Sequence, residues 1–273
     1  MAGKLRFDQA GAIHHAYARG NGRKDIFKSD KDRQAFLHYL SKAAERYEWR
    51  IYSYCLMDNH YHLAIKTLEA TLSKGMHWLN SMYSHKFNYF HDDVGHRFQG
   101  RFKNTLVQSG EHLSVLNRYI VLNPERAKIV SDPIEWQWSS FRATLGLTKP
   151  ENFLDVEGAL ADFGENLASA RNNYREFVLS AVGKKPDDIY KPILGNRDFI
   201  EQNVSHLNDQ QKLIFLRPEL REIFNENQID FLTKKQRDER IREAVQTYGY
   251  KQNEVARFIG MSPVQICKIN QGV

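Results

Sequence analysis

Cysteine is scarce in this chain: its 273 residues include only two, Cys55 and Cys267, which lie far apart in the sequence. This scarcity excludes a disulfide-stabilised scaffold and a zinc module built on cysteines. Long hydrophobic runs are also absent, since none approaches the ~18 apolar residues that a membrane span needs. The first seven residues lack the apolar segment of a signal peptide. We therefore expect a cytoplasmic protein with reduced thiols.

Positive charge is unevenly distributed along the chain. Residues 1–147 carry 21 Lys and Arg against 14 Asp and Glu, whereas residues 148–273 carry 18 against 19. Ten of the eleven histidines and all four tryptophans lie in the first of these parts. A basic, aromatic and histidine-rich region favours a polyanionic partner such as DNA. The alternative is a solvated basic surface without a partner.

The periodicity of apolar residues predicts the order β-α-β-β-α-β-α in the first part of the chain. This order is typical of an α/β (α+β) fold of the ferredoxin-like kind, an antiparallel sheet covered by helices. We expect a catalytic domain over 1–147, a helical connecting region over 148–235 and a small helical module over 236–273. The predicted strands cover residues 12–19, 49–55, 60–66 and 105–108, and the predicted helices begin at Ser29 or Asp30, at Leu72 and at Glu111.

His60 and His62 are the most informative pair of residues. Because side chains two apart on a strand project to the same face, both imidazoles point in one direction, with Tyr61 on the other face. Two neutral imidazoles can bind one metal ion. The alternative for an isolated pair is two half-exposed histidines of a sheet.

Tyr119 and Asn123 share one face of a helix because they are four residues apart. The tyrosine offers a phenol as a nucleophile, and the asparagine offers a carbonyl oxygen as a third metal ligand. A set of two histidines and an amide with open positions suits Mg²⁺ or Mn²⁺ better than a closed zinc site. The alternative is a packed Tyr119 and an Asn123 that caps the helix before Pro124.

Several segments resemble a known family of enzymes. Residues 54–63 (YCLMDNHYHL) are similar to the core signature of single-tyrosine HUH transposases of the insertion-sequence-200 type. Residues 118–127 (RYIVLNPERA) resemble the tyrosine helix of the branch called REP-associated tyrosine transposases. Residues 14–21, 95–102 and 138–140 extend the similarity, which covers about residues 10–145 in order.

The resemblance implies a role for each residue of the candidate site. His60, His62 and Asn123 would be the metal ligands, and Tyr119 would be the nucleophile. It also implies attack on single-stranded DNA folded into hairpins, a 5′-phosphotyrosine adduct and a free 3′-OH. The pattern departs from the family at Asp58, where relatives often have proline, which puts the rigidity of that loop in doubt.

Cations and aromatic residues alternate over residues 96–103, a pattern typical of single-strand binding. Arginines neutralise phosphates while aromatic faces stack on unpaired bases. The alternative is that the phenylalanines anchor the core and only the charges are exposed. The candidate DNA contacts of the first domain are Arg97, Phe98 and Arg101, followed by Arg19, Arg23 and Lys24.

The last residues resemble a helix-turn-helix of the Trp-repressor or replication-initiator kind. Helices are predicted over 239–248, 252–259 and 263–270, with Gly260 to Ser262 as the turn. Gln265 and Lys268 would face bases or phosphates in a major groove. The alternative is a helical hairpin used only for packing, which the near-neutral charge of this part favours.

These observations predict a nucleoid-associated transposase that cuts and rejoins single-stranded DNA and acts as a monomer or a homodimer. The main alternative is a domesticated transposase that binds DNA as a regulator without cleaving it. A relaxase of replication or plasmid mobilisation would share the chemistry and is a third interpretation.

Overall fold

A five-stranded sheet forms the centre of the chain in a computed structural model, which describes residues 7–208, 212, 215–225 and 232–272. The strands lie in the order β2-β3-β1-β4-β5, and all neighbours are antiparallel except β4 and β5. The first four have the ferredoxin-like arrangement that the sequence predicts, so the predicted fold class is confirmed. The strands are β1 (Ile13–Arg19), β2 (Trp49–Met57), β3 (His60–Thr67), β4 (Lys103–Val107) and β5 (Ile193–Leu194).

Two long helices cover one face of this sheet. They are α1 (Asp30–Arg46) and α2 (Leu72–His91). Ser29 starts α1 with a capping box, in which its hydroxyl accepts from the backbone N–H of Asp32. The buried side chains of both helices pack on alternate strand residues, among them Tyr61, Leu63 and Ile65. This apolar layer is the larger core of the domain.

A third helix, α3 (Glu111–Val121), packs on the opposite face of the sheet. Its residues Leu116 and Ile120 are fully buried there against Cys55 and Ala64. Asn123 does not end the helical region, because the short helix α4 (Asn123–Arg126) follows directly. Pro124 fits at its first turn, where an N–H is not needed.

Residues beyond 147 continue the first compact unit, whose boundary lies between Gly195 and Asn196. The expected catalytic domain ended earlier, but a further core of buried residues joins Val121 and Phe141 to Tyr174 and Val178. Strand β5 then adds to the sheet edge in parallel with β4, a strand that the sequence did not predict. The helices of this region are α5 (Phe141–Thr144), α6 (Val156–Leu160) and α7 (Leu167–Leu179).

The second unit, from Asn196 onward, is helical where the structure describes it. Its last two helices are joined by a short turn in which Gly260 adopts a φ of 72° and Ser262 caps the next helix. Ile266 and Ala256 are buried between them, whereas Val264 is 66% exposed. The helices are α8 (Arg197–Val204), α9 (Leu220–Ile223), α10 (Lys234–Arg242), α11 (Gln252–Ile259) and α12 (Pro263–Gln271), with a π-helix over Glu243–Thr247.

Among the described residues, no helix combines the length and the apolar character needed to cross a membrane.

Candidate active site

Alternation along β1 and β3 places four aromatic side chains on the sheet face that α3 covers. In the antiparallel register Tyr17 pairs with His62 and Arg19 pairs with His60. Since paired residues project to the same side, His15 belongs to this face as well. The ring centroids of His60 and His62 lie 5.1 Å apart, with the rings nearly perpendicular. The predicted common orientation of the two histidines therefore holds in the structure.

The ring of His62 is held by a second imidazole. His62 Nδ1 lies 2.8 Å from Nε2 of His15, and the two rings are stacked with centroids 5.0 Å apart. Both side chains are buried. His62 Nε2 has no hydrogen-bond partner within the described part of the chain. A buried nitrogen without a partner is costly, and a bound ion would satisfy it.

The ring of His60 is held by its neighbour Asn59. The amide Nδ2 of Asn59 donates to the carbonyl oxygen of Arg23, and its Oδ1 lies 2.6 Å from Nδ1 of His60. Because that oxygen can only accept, His60 Nδ1 carries the proton. The lone pair of His60 is then on Nε2, the nitrogen that a metal would bind.

Both histidines are neutral at neutral pH. Burial, followed by the charge of Arg19, lowers the pKa of His60 to about 4. Burial also holds the pKa of His62 well below its ordinary value, with smaller contributions from His15, His60 and Arg19. A neutral imidazole is the form that binds a metal ion.

Tyr119 extends from α3 towards this pair. Its ring lies edge-on to His62, with 5.9 Å between the centroids. The side chain is 7% exposed. Burial and then the neighbouring Tyr190 raise its pKa, whereas the guanidinium of Arg126, whose Cζ lies 4.9 Å from the ring centroid, lowers it. One chain thus brings a phenol beside the two imidazoles.

Tyr190 is a residue of this site that sequence analysis missed. Its hydroxyl lies 2.7 Å from that of Tyr119, and its ring contacts those of Tyr17 and His15 at 5.4 and 6.2 Å. Strand β5 positions it, because the segment before that strand hydrogen-bonds to Thr105 of β4. No motif or regular alternation marks this segment in the sequence.

Asn123 lies one turn after Tyr119, at the junction between α3 and α4. Its Nδ2 donates to the carbonyl oxygens of Tyr119 and Ile120, at 2.9 and 3.2 Å. The amide therefore has the capping role that the sequence left open. Its Oδ1 is the atom with lone pairs for an ion. No group of three or more His, Cys, Asp or Glu among the described residues is arranged to hold a metal ion, so a site would need this amide in addition to the two histidines.

The chain is similar to known proteins in two comparisons. Residues 10–123 match the family described as "Transposase IS200 like". A solved structure of a REP-associated tyrosine transposase bound to a REP hairpin is 15% identical, covers 61% of this chain and 93% of that chain, and has a TM-score of 0.48. A comparison with curated proteins gives no match.

The sheet domain gathers exposed cations beside the histidines. The turn after β1 bonds to β3, because the backbone N–H of Gly20 donates to the carbonyl oxygen of Asn59. The same turn pairs with the loop before β4 through a bridge between Gly20 and Phe98. Two cationic segments that are far apart in sequence therefore meet at one edge of the sheet. Their exposed cations are Arg19, Arg23, Lys24, Arg101 and Lys103.

Lys103 was not among the predicted contacts. It pairs with Tyr17 across β1 and β4, and its Nζ lies 6.0 Å from the centroid of that ring. A position on the same face as the histidines was not evident in the sequence, because the predicted strand began only at Thr105.

The structure corrects two of the predicted DNA contacts. Phe98 is 8% exposed and packs in the core against Tyr61 and Tyr83, so its ring offers no free face to a base. Arg97 is equally buried, and its guanidinium lies 3.8 Å from the ring centroid of Phe87. The same guanidinium donates to Asn88 and to Asp93, so it stabilises the loop instead of projecting into solvent.

Gln265 and Lys268 are exposed on the last helix of the second unit. The amide oxygen of Gln265 already accepts from the backbone N–H of Ser262 in a capping box, at 2.9 Å. The Nε2 group of Gln265 is the part of this amide that remains to donate to a base or phosphate, whereas Lys268 presents a positive charge.

Asp58, where relatives often have proline, forms an ion pair with Arg33. The side chain of Arg33 is 8% exposed and its guanidinium lies within 5.7 Å of the ring centroids of Trp136 and Trp138. The carbonyl oxygen of Asp58 also accepts from the backbone N–H groups of Ile26 and Phe27. These bonds restrain the loop at Asp58, where a proline would restrain the backbone by its ring.

Proposed function

We propose that this protein is a metal-dependent transposase that cleaves and rejoins single-stranded DNA through Tyr119. The observation that carries the proposal is the position of the Tyr119 ring 5.9 Å from that of His62, whose buried Nε2 has no partner among the described residues. A nucleophile and a candidate ligand therefore lie together in one chain. The match of residues 10–123 to the family described as "Transposase IS200 like" supports the same chemistry.

His60, His62 and Asn123 would hold the metal, for which Mg²⁺ or Mn²⁺ suits the donor set best. Two neutral imidazoles with their Nε2 atoms available fit such an ion, and the amide oxygen of Asn123 would complete the protein ligands. The ion, when bound, polarises the scissile phosphate and neutralises charge that develops on it.

Tyr119 would carry out the transfer. Its phenolic oxygen forms a bond to phosphorus, the bond from phosphorus to the 3′ oxygen breaks, and that oxygen takes up a proton as a 3′-OH. The phenol loses its own proton, and the bond energy is conserved in the phosphotyrosine for rejoining. Before attack, Tyr119 must release its hydrogen bond to Tyr190, since the same oxygen has to reach the phosphorus.

The exposed cations around the turn after β1 would hold the DNA backbone. Arg19 and Lys103 lie on the face of the histidines, and Arg23, Lys24 and Arg101 continue the positive surface away from it. Such a surface binds phosphates without reading the sequence. A folded hairpin is the substrate that the resemblance implies.

The last two helices of the second unit would act as a helix-turn-helix that contacts duplex DNA. Their turn, with a left-handed Gly260 and a capped Ser262, supports this assignment. Gln265 and Lys268 are the contacts that we propose for it.

A regulator that binds DNA without cleaving it is the second candidate. One observation favours it: the Tyr119 hydroxyl is already hydrogen-bonded to Tyr190 and its pKa is raised. Such a protein would bind hairpins with a steep dependence on salt and leave them intact.

Incubation of the purified protein with labelled hairpin single strands and Mn²⁺ separates the two candidates. A transposase gives a covalent protein–DNA adduct on a denaturing gel, which EDTA prevents, and a released strand that a polymerase extends from its 3′-OH. Binding in a native gel with neither product would support the regulator and contradict the transposase.

A further inference from the structure

We infer that His15 is a positioning residue that fixes the ring of His62 so that His62 Nε2 is directed at the metal. The inference rests on the proposed function, because it assigns His62 as a ligand. His15 lies on β1, directly beside the strand that carries His62, and has no role in the proposed reaction.

A buried hydrogen bond joins His15 to His62. His15 Nε2 lies 2.8 Å from His62 Nδ1, and both side chains are buried. A neutral His62 that binds a metal through Nε2 carries its proton on Nδ1. That N–H then donates to Nε2 of His15, which accepts. In this direction the bond stabilises the tautomer of His62 that leaves the lone pair on Nε2.

The packing around His15 holds its ring in place. On β3 its direct partner is Ala64, a small residue, so the imidazole has room to lean diagonally towards His62. The ring of Tyr17 also packs on that of His15, with centroids 4.8 Å apart. A ring that packs on Tyr17 and is hydrogen-bonded to His62 has little rotational freedom, which is what an orienting group requires.

His15 is not suited to be a ligand. When its Nε2 accepts from His62, the proton of the neutral imidazole is on Nδ1, so neither nitrogen keeps a free lone pair for a metal. The parallel with His60 is close, because Asn59 holds the Nδ1 of that histidine in the same manner. Each of the two histidines thus has a partner on Nδ1 and presents Nε2.

Substitutions of His15 test the inference through metal affinity and not through turnover. Binding of Mn²⁺ is measured from the electron paramagnetic resonance signal of the free ion, with wild type, His15→Gln, His15→Leu and His62→Ala. We expect His15→Leu to weaken Mn²⁺ binding 10- to 100-fold. His15→Gln retains an acceptor for His62 Nδ1–H, so its affinity should stay within about 3-fold of wild type. Circular dichroism establishes that each variant is folded.

The ring of His62 gives a second, metal-free measurement. Long-range ¹H–¹⁵N spectra of the ¹⁵N-labelled protein should show His62 protonated on Nδ1 in wild type and in His15→Gln, and a mixture of tautomers in His15→Leu. If His15→Leu is too unstable for titration, His15→Asn replaces it in both measurements. The asparagine side chain is one carbon shorter than that of glutamine, so we expect its amide not to reach His62.

The outcomes separate this inference from the function on which it rests. Equal Mn²⁺ affinity and an unchanged His62 tautomer in His15→Leu would overturn the role of His15 while His62→Ala still loses the metal. Equal losses in the Gln and Leu variants would exclude the hydrogen bond as the cause. If wild type binds no Mn²⁺, or binds it as well as His62→Ala does, the metal site of the proposed function is what fails.

Discussion

The two faces of the sheet differ in chemistry although the same strands build both. Along β3, His60 and His62 point to the face of Tyr119, whereas Tyr61 and Leu63 point into the core beneath α1 and α2. The core face is largely apolar, although it includes the buried His14, whereas the site face carries several imidazoles and phenols. The same strand therefore contributes to stability through one face and to the reaction through the other. Substitutions on the core face should change the free energy of unfolding, and substitutions on the site face should change the activity.

Tyr119→Phe should give the largest effect on the site face. The variant loses the proposed nucleophilic oxygen, so adduct formation on denaturing gels should fall at least ~10³-fold, while binding of a hairpin in native gels persists. An adduct of undiminished yield in this variant would remove Tyr119 from its proposed role.

Tyr61→Phe is the matched control on the core face, one residue from each histidine. Its hydroxyl donates to Oδ1 of Asn80 at 2.7 Å, and the ring is fully buried. Loss of that bond should lower the free energy of unfolding by about 1 kcal/mol in a denaturant titration. The adduct yield should not change. A loss of adduct equal to that of Tyr119→Phe would mean that the two faces are not separable.

Tyr190→Phe should shift the pH dependence of cleavage. After burial, the hydrogen bond to Tyr190 is the next cause that raises the pKa of Tyr119, so its removal lowers that pKa. The rising limb of the pH–rate profile, in which the phenol ionises, should then move to lower pH. At neutral pH, single-turnover adduct formation should become about 3- to 10-fold faster. A slower reaction in this variant would indicate instead that the Tyr190 hydroxyl assists the transfer.

The sequence predicted the framework of the site well, because alternation is a local property. The pattern from His60 to Lys66 defines a strand, and a strand fixes that two histidines share a face. The i, i+4 spacing likewise placed Asn123 beside Tyr119, where it caps the helix.

Tyr190 could not be predicted in the same way. It reaches Tyr119 from a position 71 residues later, through a two-residue strand that pairs in parallel with β4. Neither the length nor the pattern of such a strand differs from that of a loop, so its position depends on tertiary packing.

The loop before β4 shows a different limit of sequence analysis. Its alternating cations and aromatics match a DNA-binding surface, but the pattern does not reveal which side chains face inward. Phe98 anchors the loop in the core, and Arg97 is held by Asn88 and Asp93 above Phe87. Arg101, four residues later, is exposed. Two arginines of one loop thus have opposite surroundings.

Arg101→Ala and Arg97→Ala should therefore have different effects, smaller than those above. The exposed Arg101 contributes one phosphate contact, so its loss should weaken hairpin binding about 3- to 10-fold and reduce the slope of log Kd against log salt by about one. Arg97→Ala removes a buried cation and its bonds, and should lower the unfolding midpoint without that change in slope. Fluorescence anisotropy at several salt concentrations, together with thermal unfolding, measures both. An unchanged salt slope in Arg101→Ala combined with a reduced one in Arg97→Ala would require the loop to rearrange on DNA, with the buried guanidinium released to a phosphate.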